Sequence, residues 1–209
     1  MRKKIAVTQR LIENPTYFEI RDALDVNQSK FLEQAGYLPV PLSAACDPES
    51  YFSQIGFDGV FLSGGNDLSC VSDDPLSAQR DQFEKRVIEL ALERKIPIFG
   101  VCRGMQIIAD YFGGELEKVE NHVAVRHKLV VQSESRFADF IGRFEDVNSY
   151  HGYAVKSVPN DFHTVCESDD DVIEAIEHKT LPIFAQMWHS ERESPFIETD
   201  AKITRMIFG

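Results

Sequence analysis

The order of the apolar runs constrains this chain most. Through the first half, short β-rich stretches alternate with longer segments of helical spacing. A chain patterned this way buries its strands in a mostly parallel sheet with helices on both faces. Residues 4–8 read as the first strand. Ile20, Leu24, Phe31 and Leu32 predict a helix over about residues 18–35, stopped by Gly36. Residues 38–42 form a second strand, which its prolines assign to a sheet edge. Residues 57–62 form a third, running into Ser63-Gly64-Gly65-Asn66-Asp67. Over residues 76–94, Phe83, Val87, Leu90 and Ala91 share one helical face, and residues 96–101 follow as a central strand. Beyond Gly114 the pattern becomes more antiparallel, with strand-like runs at 122–131, 147–155 and 172–188 and a hairpin connection at 179–182. The acidic Ser168-Asp169-Asp170-Asp171 reads as a solvated loop. No repeat, low-complexity tract or linker interrupts the pattern, so residues 1–209 are expected to form one domain.

Charge and cysteine usage exclude several classes of function. A formal net charge of −12 over 209 residues argues against a broad nucleic-acid surface. No run of 18 or more apolar residues is present to span a bilayer. The basic start at Met1-Arg2-Lys3-Lys4 leads into an apolar stretch cut short by Thr8, Gln9 and Arg10, so it reads as a strand rather than a signal peptide. A cytoplasmic protein acting on a small molecule is expected, with no nucleic-acid or membrane partner; no motif specifies an oligomeric state. Cys46, Cys70, Cys102 and Cys166 form no CxxC pair, so neither a disulfide framework nor a cysteine zinc site is implied. No metal and no cofactor are expected, and most of these thiols read as small apolar side chains.

Cys102 is the exception because of where it stands. The run Pro97-Ile98-Phe99-Gly100-Val101 meets Cys102 and continues as a helical segment through Arg103-Gly104-Met105-Gln106. A thiol on a sharp strand-to-helix turn is held exposed, and a helix N-terminus favours its thiolate. A buried apolar thiol fits the same segment. Far downstream lies Phe184-Ala185-Gln186-Met187-Trp188-His189-Ser190-Glu191-Arg192-Glu193. Residues two apart in an extended segment point to one side, so Glu191 can orient His189 and stabilise its charged form. The loop at 63–67 follows a strand and could aim backbone N–H groups at an oxyanion, although Gly-Gly and Gly-Asn also make ordinary turns.

Together, SGGND at 63–67, GVCRGMQ at 100–106, VNSYHGYAV at 147–155 and QMWHSERE at 186–193 resemble the class I glutamine amidotransferase superfamily, more closely its γ-glutamyl hydrolase branch. The resemblance spans nearly the whole chain. It implies a flavodoxin-like three-layer αβα sandwich, with Cys102 as nucleophile, His189 as general base and acid, and Glu191 as its partner. It further implies an oxyanion hole from the N–H groups of Gly65 and Arg103, and a glutamyl pocket that includes Gln106, Ser149, Tyr150 and His151. Ser190 stands where the superfamily usually has proline, which is expected to loosen the turn.

The amine half of the substrate is less defined. Arg10, Arg103, Arg126, His127 and Arg192 lie in or beside these segments and favour an anionic leaving group, while surface ion pairs explain several of them equally well. Val7-Thr8-Gln9-Arg10, with the loop at 62–67 and the run at 186–192, is similar to a smaller branch, the γ-glutamyl-CDP-amidate hydrolases of capsule phosphoramidate synthesis. That branch releases glutamate and cytidine diphosphoramidate; Arg10 after the first strand and Arg192 just past His189 and Glu191 are placed where phosphate binding is expected. A γ-glutamyl-γ-aminobutyrate hydrolase, a glutaminase subunit feeding a separate synthetase, and a non-catalytic binding relative remain as alternatives.

Overall fold

The computed structural model describes residues 1–132 and 135–209. Its spine is a ten-stranded sheet. Strand β1 (Lys4–Val7) pairs in parallel with β4 (Leu38–Pro41) and β5 (Gly59–Leu62); β5 pairs in parallel with β6 (Ile98–Val101), and β6 with β14 (Ile183–Gln186). Every residue of β5, β6 and β14 is buried, as two-sided cover demands of a parallel sheet. The expected proline-bearing edge strand is β4. The expected central strand is β6.

Helices seal both faces, and their ends follow capping chemistry. Asp25, Asp47 and Asp74 accept from backbone N–H groups at the starts of α1 (Val26–Gln34), α2 (Pro48–Gln54) and α3 (Pro75–Glu93), the last two with proline in the first turn. The remaining helices are α4 (Arg103–Tyr111), a short α5 (Ala138–Ile141) and α6 (Glu198–Phe208). Among the described residues no helix is long and apolar enough to cross a membrane.

Past α4 the sheet turns antiparallel. β13 (Ile173–His178) pairs with β14, with β11 (Tyr153–Ser157) and with β12 (Phe162–Ser168); β7 (Glu115–Lys118) and β9 (Leu129–Val131) join at the margins. β8 (Val123–His127) and β10 (Val147–Tyr150) form a separate ribbon. The strand-like run at 147–155 is therefore two strands in two sheets. His151 and Gly152 stand at the corner between them.

Two expectations are corrected here. The helix predicted over 18–35 begins only at Val26; residues before it form a hairpin of β2 (Arg10–Glu13) and β3 (Ile20–Ala23). Ile20 and Leu24 are spaced for a helix, but Phe18 and Ile20 face solvent and Asp25 caps the chain that follows. In the acidic loop Asp169, Asp170 and Asp171 are exposed but Ser168 is buried, so it is not merely solvated. Asp170 accepts from Ser168 Oγ at 2.5 Å and lies 3.2 Å from His122 Nε2.

Candidate active site

The parallel strands deliver their C-terminal ends to one edge of the sheet, where an open α/β sheet gathers its ligands. Cys102 follows β6 there with φ 53° and ψ −107°, a left-handed backbone uncommon for a residue with a side chain. Its N–H donates to the Gln186 carbonyl at 2.7 Å, tying the turn to β14. A Cβ on Gly104 would stand 2.1 Å from the Leu62 carbonyl oxygen, so only glycine lets α4 start this close to β5. Among the described residues no side chain caps α4, and the Arg103 N–H at its first position has no intrahelical acceptor.

His189 and Glu191 arrive on the segment after β14. His189 Nδ1 lies 2.6 Å from Glu191 Oε1, and both side chains are buried. Asn148 clamps the backbone, donating from Nδ2 to the His189 carbonyl and accepting from the His189 N–H, each at 2.9 Å. Burial opposes the charged imidazole, but the Glu191 carboxylate and then Cys102 outweigh it and push His189 up to about 9. Ser190 does not loosen this turn. Its hydroxyl donates to Asp200 at 2.8 Å and accepts from Gln186 Nε2 at 3.0 Å, and residues Ser190–Arg192 form a 3₁₀ turn.

Cys102, His189, Gly65, Gln106, Tyr150 and His151 meet around one cleft of about 270 Å³. Gly65 has φ 105°, and a Cβ there would stand 2.9 Å from Arg10 Cβ. Gln106 Nε2 donates to the Tyr153 carbonyl at 2.8 Å. Ser149 is not in this wall: its hydroxyl turns away to donate to the His122 carbonyl at 2.7 Å. In the VNSY segment Tyr150 lines the cleft, and Asn148, one residue before Ser149, holds the His189 backbone.

The arginines divide sharply. The Arg103 side chain is buried in ion pairs with Asp81 and Glu84, so it cannot reach a leaving group. Arg126 pairs with Asp146 and Glu193, and His127 faces Glu174. Arg10 and Arg192 line the hollow beside Gly64 and His189, and among the described residues neither lies within ion-pair distance of a carboxylate. The Arg192 guanidinium sits 4.2 Å from the centre of the Tyr150 ring.

A further cation lies outside the sequence motifs. Arg80 is fully buried and donates to the Ser63 and Gly64 carbonyls at 2.8 and 3.1 Å, holding the loop from below while pairing with Glu84 at 3.0 Å. Arg80, Glu84, Val87 and Ala91 share one helical stripe. Two charges in register with an apolar face were the signal in the sequence.

Comparison with known proteins gives the family. The family described as Peptidase C26 matches residues 5–191. The chain belongs to the Peptidase C26 family. A γ-glutamyl-CDP-amidate hydrolase of Campylobacter jejuni subsp. jejuni serotype O:2 is 41% identical over 193 residues, covering 91% of this chain and 90% of that protein. A γ-glutamyl-γ-aminobutyrate hydrolase of Escherichia coli O157:H7 is 27% identical, covering 87% and 83% respectively. A glutamine amidotransferase structure from Thermotoga maritima superposes with a TM-score of 0.69 at 14% identity, covering 99% of this chain and 84% of the other. The flavodoxin-like sandwich expected of the family is the fold observed.

Proposed function

We propose that this C26 family member hydrolyses a γ-glutamyl amide whose leaving group carries phosphate, in the manner of γ-glutamyl-CDP-amidate hydrolases. The observation that carries the reading is the pairing of the Cys102–His189–Glu191 cluster with two guanidiniums, Arg10 and Arg192, that have no carboxylate partner among the described residues and lie at the same mouth. In this mechanism the Cys102 thiolate, its proton held by His189, attacks the δ-carbonyl and forms an Sγ–C bond. The oxyanion is received by the N–H groups of Gly65 and Arg103. Collapse breaks the C–N bond, and the nitrogen departs with the His189 proton. Water, deprotonated by His189, then opens the thioester, releasing glutamate and restoring the thiol.

Residues 1–209 act as a single hydrolase domain in this reading, and the nucleotide-linked substrate is met in the cytoplasm. Purified enzyme offered a panel of γ-glutamyl amides should hydrolyse the CDP-amidate with the highest kcat/KM. Arg10→Ala and Arg192→Ala should each lower that value roughly ten- to a hundredfold, with far smaller losses on free glutamine. Equal losses on both substrates would remove the phosphate assignment. A preference for γ-glutamyl-γ-aminobutyrate would transfer the arginines to a carboxylate. Free-glutamine hydrolysis that rises sharply with a synthetase would favour a glutaminase subunit.

A further inference from the structure

Behind the cleft wall lies a cluster that the proposed chemistry does not use. His122 precedes β8, His127 ends it, His151 turns the corner between β10 and β11, and Glu174 lies in β13. Their ligand atoms all fall within 4.8 Å of one another. His122 Nδ1, His127 Nε2 and His151 Nε2 stand 3.5, 3.2 and 3.3 Å from the same oxygen, Glu174 Oε1. A tetrahedron with metal–ligand bonds of 2.0–2.1 Å has edges of about 3.3 Å. The three edges to Glu174 match that length, and the other separations, all within 4.8 Å, need only a small inward shift to close around one ion.

The outer nitrogens sharpen this point. His122 Nε2 faces the Asp170 carboxylate at 3.2 Å, His127 Nδ1 the Lys128 carbonyl at 3.4 Å, and His151 Nδ1 the Tyr153 carbonyl at 3.1 Å. Carbonyl and carboxylate oxygens only accept, so the outer nitrogens carry the N–H. Once the rings are neutral, as ligation of a metal requires, their inner nitrogens turn lone pairs toward Glu174. Outer partners of this kind fix the tautomer and aim of metal-bound histidines. His122 Nδ1 also lies 3.3 Å from Ser149 Oγ, whose proton is directed to the His122 carbonyl. His127 Nε2 and Glu174 Oε2 are buried without a hydrogen-bond partner among the described residues. Converging lone pairs in a largely buried cluster repel unless a cation or shared protons lie among them.

We propose that His122, His127, His151 and Glu174 bind one zinc ion in a closed, four-coordinate structural site. Three imidazoles and a carboxylate suit zinc, and with all four positions filled by protein the ion has no open position for catalysis. Its effect is mechanical. It ties the β8–β10 ribbon to β13 and fixes His151, which lines the cleft beside Cys102.

Elemental analysis of the untagged protein, grown with zinc, should give one zinc per chain. His127→Ala and Glu174→Gln should lose it, and His163→Gln, whose ring contacts Glu177 instead, should keep it. Cys102→Ala should also keep it; loss there would put the ion on the active-site thiol and overturn the proposal. Because the cluster variants can misfold, wild-type protein stripped with chelator supplies an independent readout. Zinc added back should raise its melting temperature by about 5 °C or more, while magnesium and calcium should not. Folded, stripped protein that shows no shift, together with wild-type protein carrying less than a tenth of a zinc per chain, would mean that protons fill the cluster instead.

Discussion

A positive φ at a residue with a Cβ costs of order 1–3 kcal/mol and persists only where the surroundings enforce it. At Cys102 the enforcement comes from the hydrogen bond to Gln186 and from the closeness of Gly104 to Leu62. Replacing Cys102 by Ala changes neither, so the variant should fold with wild-type circular dichroism and lose turnover. Cys46 and Cys70 are exposed and Cys166 is packed in the core, so their substitution should leave most activity. Near wild-type rates in Cys102→Ala would end the proposed mechanism. His189 adds a pH signature. With its pKa near 9, the imidazolium persists through neutral pH beside the Cys102 sulfur. Activity should therefore fall on an alkaline limb as that proton leaves. Glu191→Gln removes the largest interaction raising the value, so the limb should move down by about a unit or more. His189→Ala should cost about 10⁴-fold or more in kcat and Glu191→Gln less, because Glu191 orients rather than transfers. A pH–rate profile that is unchanged in Glu191→Gln would separate the carboxylate from the catalytic proton.

Helix α3 carries the charge that shapes the loop at 63–65. Arg80 and Arg103 share Glu84, and Arg103 also engages Asp81, all four groups being buried. Burial lowers Arg80 to about 10 even with Glu84 beside it, so it stays charged at neutral pH. Removing one partner from such a cluster leaves a stranded charge and costs about 3–5 kcal/mol. Glu84→Gln should show that loss in urea unfolding and a reduced kcat as the Ser63 and Gly64 carbonyls lose their anchor. Arg126→Ala breaks only half-exposed pairs and should change stability by less than about 1 kcal/mol. Equal effects of the two would refute the assignment of Arg80 as the loop's support. The same elements mark the limit of reading from sequence. β1, β4, β5 and β6 lie where their apolar runs predict, because a buried parallel strand has one dominant signal. The β2–β3 hairpin mimics helical spacing at Ile20 and Leu24 while exposing part of it. Cys102, His189 and Glu191 follow from local motifs, whereas the fate of each arginine depends on which carboxylate the fold brings near. Arg103 and Arg126 find one; among the described residues Arg10 and Arg192 do not.

At the scale of the molecule, α6 closes the fold back on itself. Phe208 packs edge-on to Tyr37 and Phe99, its carbonyl accepts from Lys3 Nζ at 2.7 Å, and Gly59 leaves room for its ring. At the other end of the helix, Asp200 Oδ1 accepts from Trp188 Nε1 at 3.0 Å and Ser190 Oγ at 2.8 Å, gripping the segment that carries His189. Asp200 Oδ2 has no partner among the described residues. Burial pushes this carboxyl up from 3.8 to about 6, against the hydrogen bonds from Trp188 and Ser190. A raised carboxyl pKa means that the folded state prefers the protonated form. The stabilisation is present below the unfolded pKa and is lost as pH rises through about 6. A shift of roughly two units corresponds to about 3 kcal/mol. Asp200→Asn retains an acceptor for Trp188 and Ser190 and cannot ionise. The difference in unfolding free energy between the two proteins should therefore move in favour of the variant by about that amount between pH 4 and pH 7. Urea midpoints at the two pH values test this without requiring activity. A constant difference would mean that Asp200 ionises as readily in the folded chain as in the unfolded one, and the closure of α6 over the His189 segment would then be insensitive to pH.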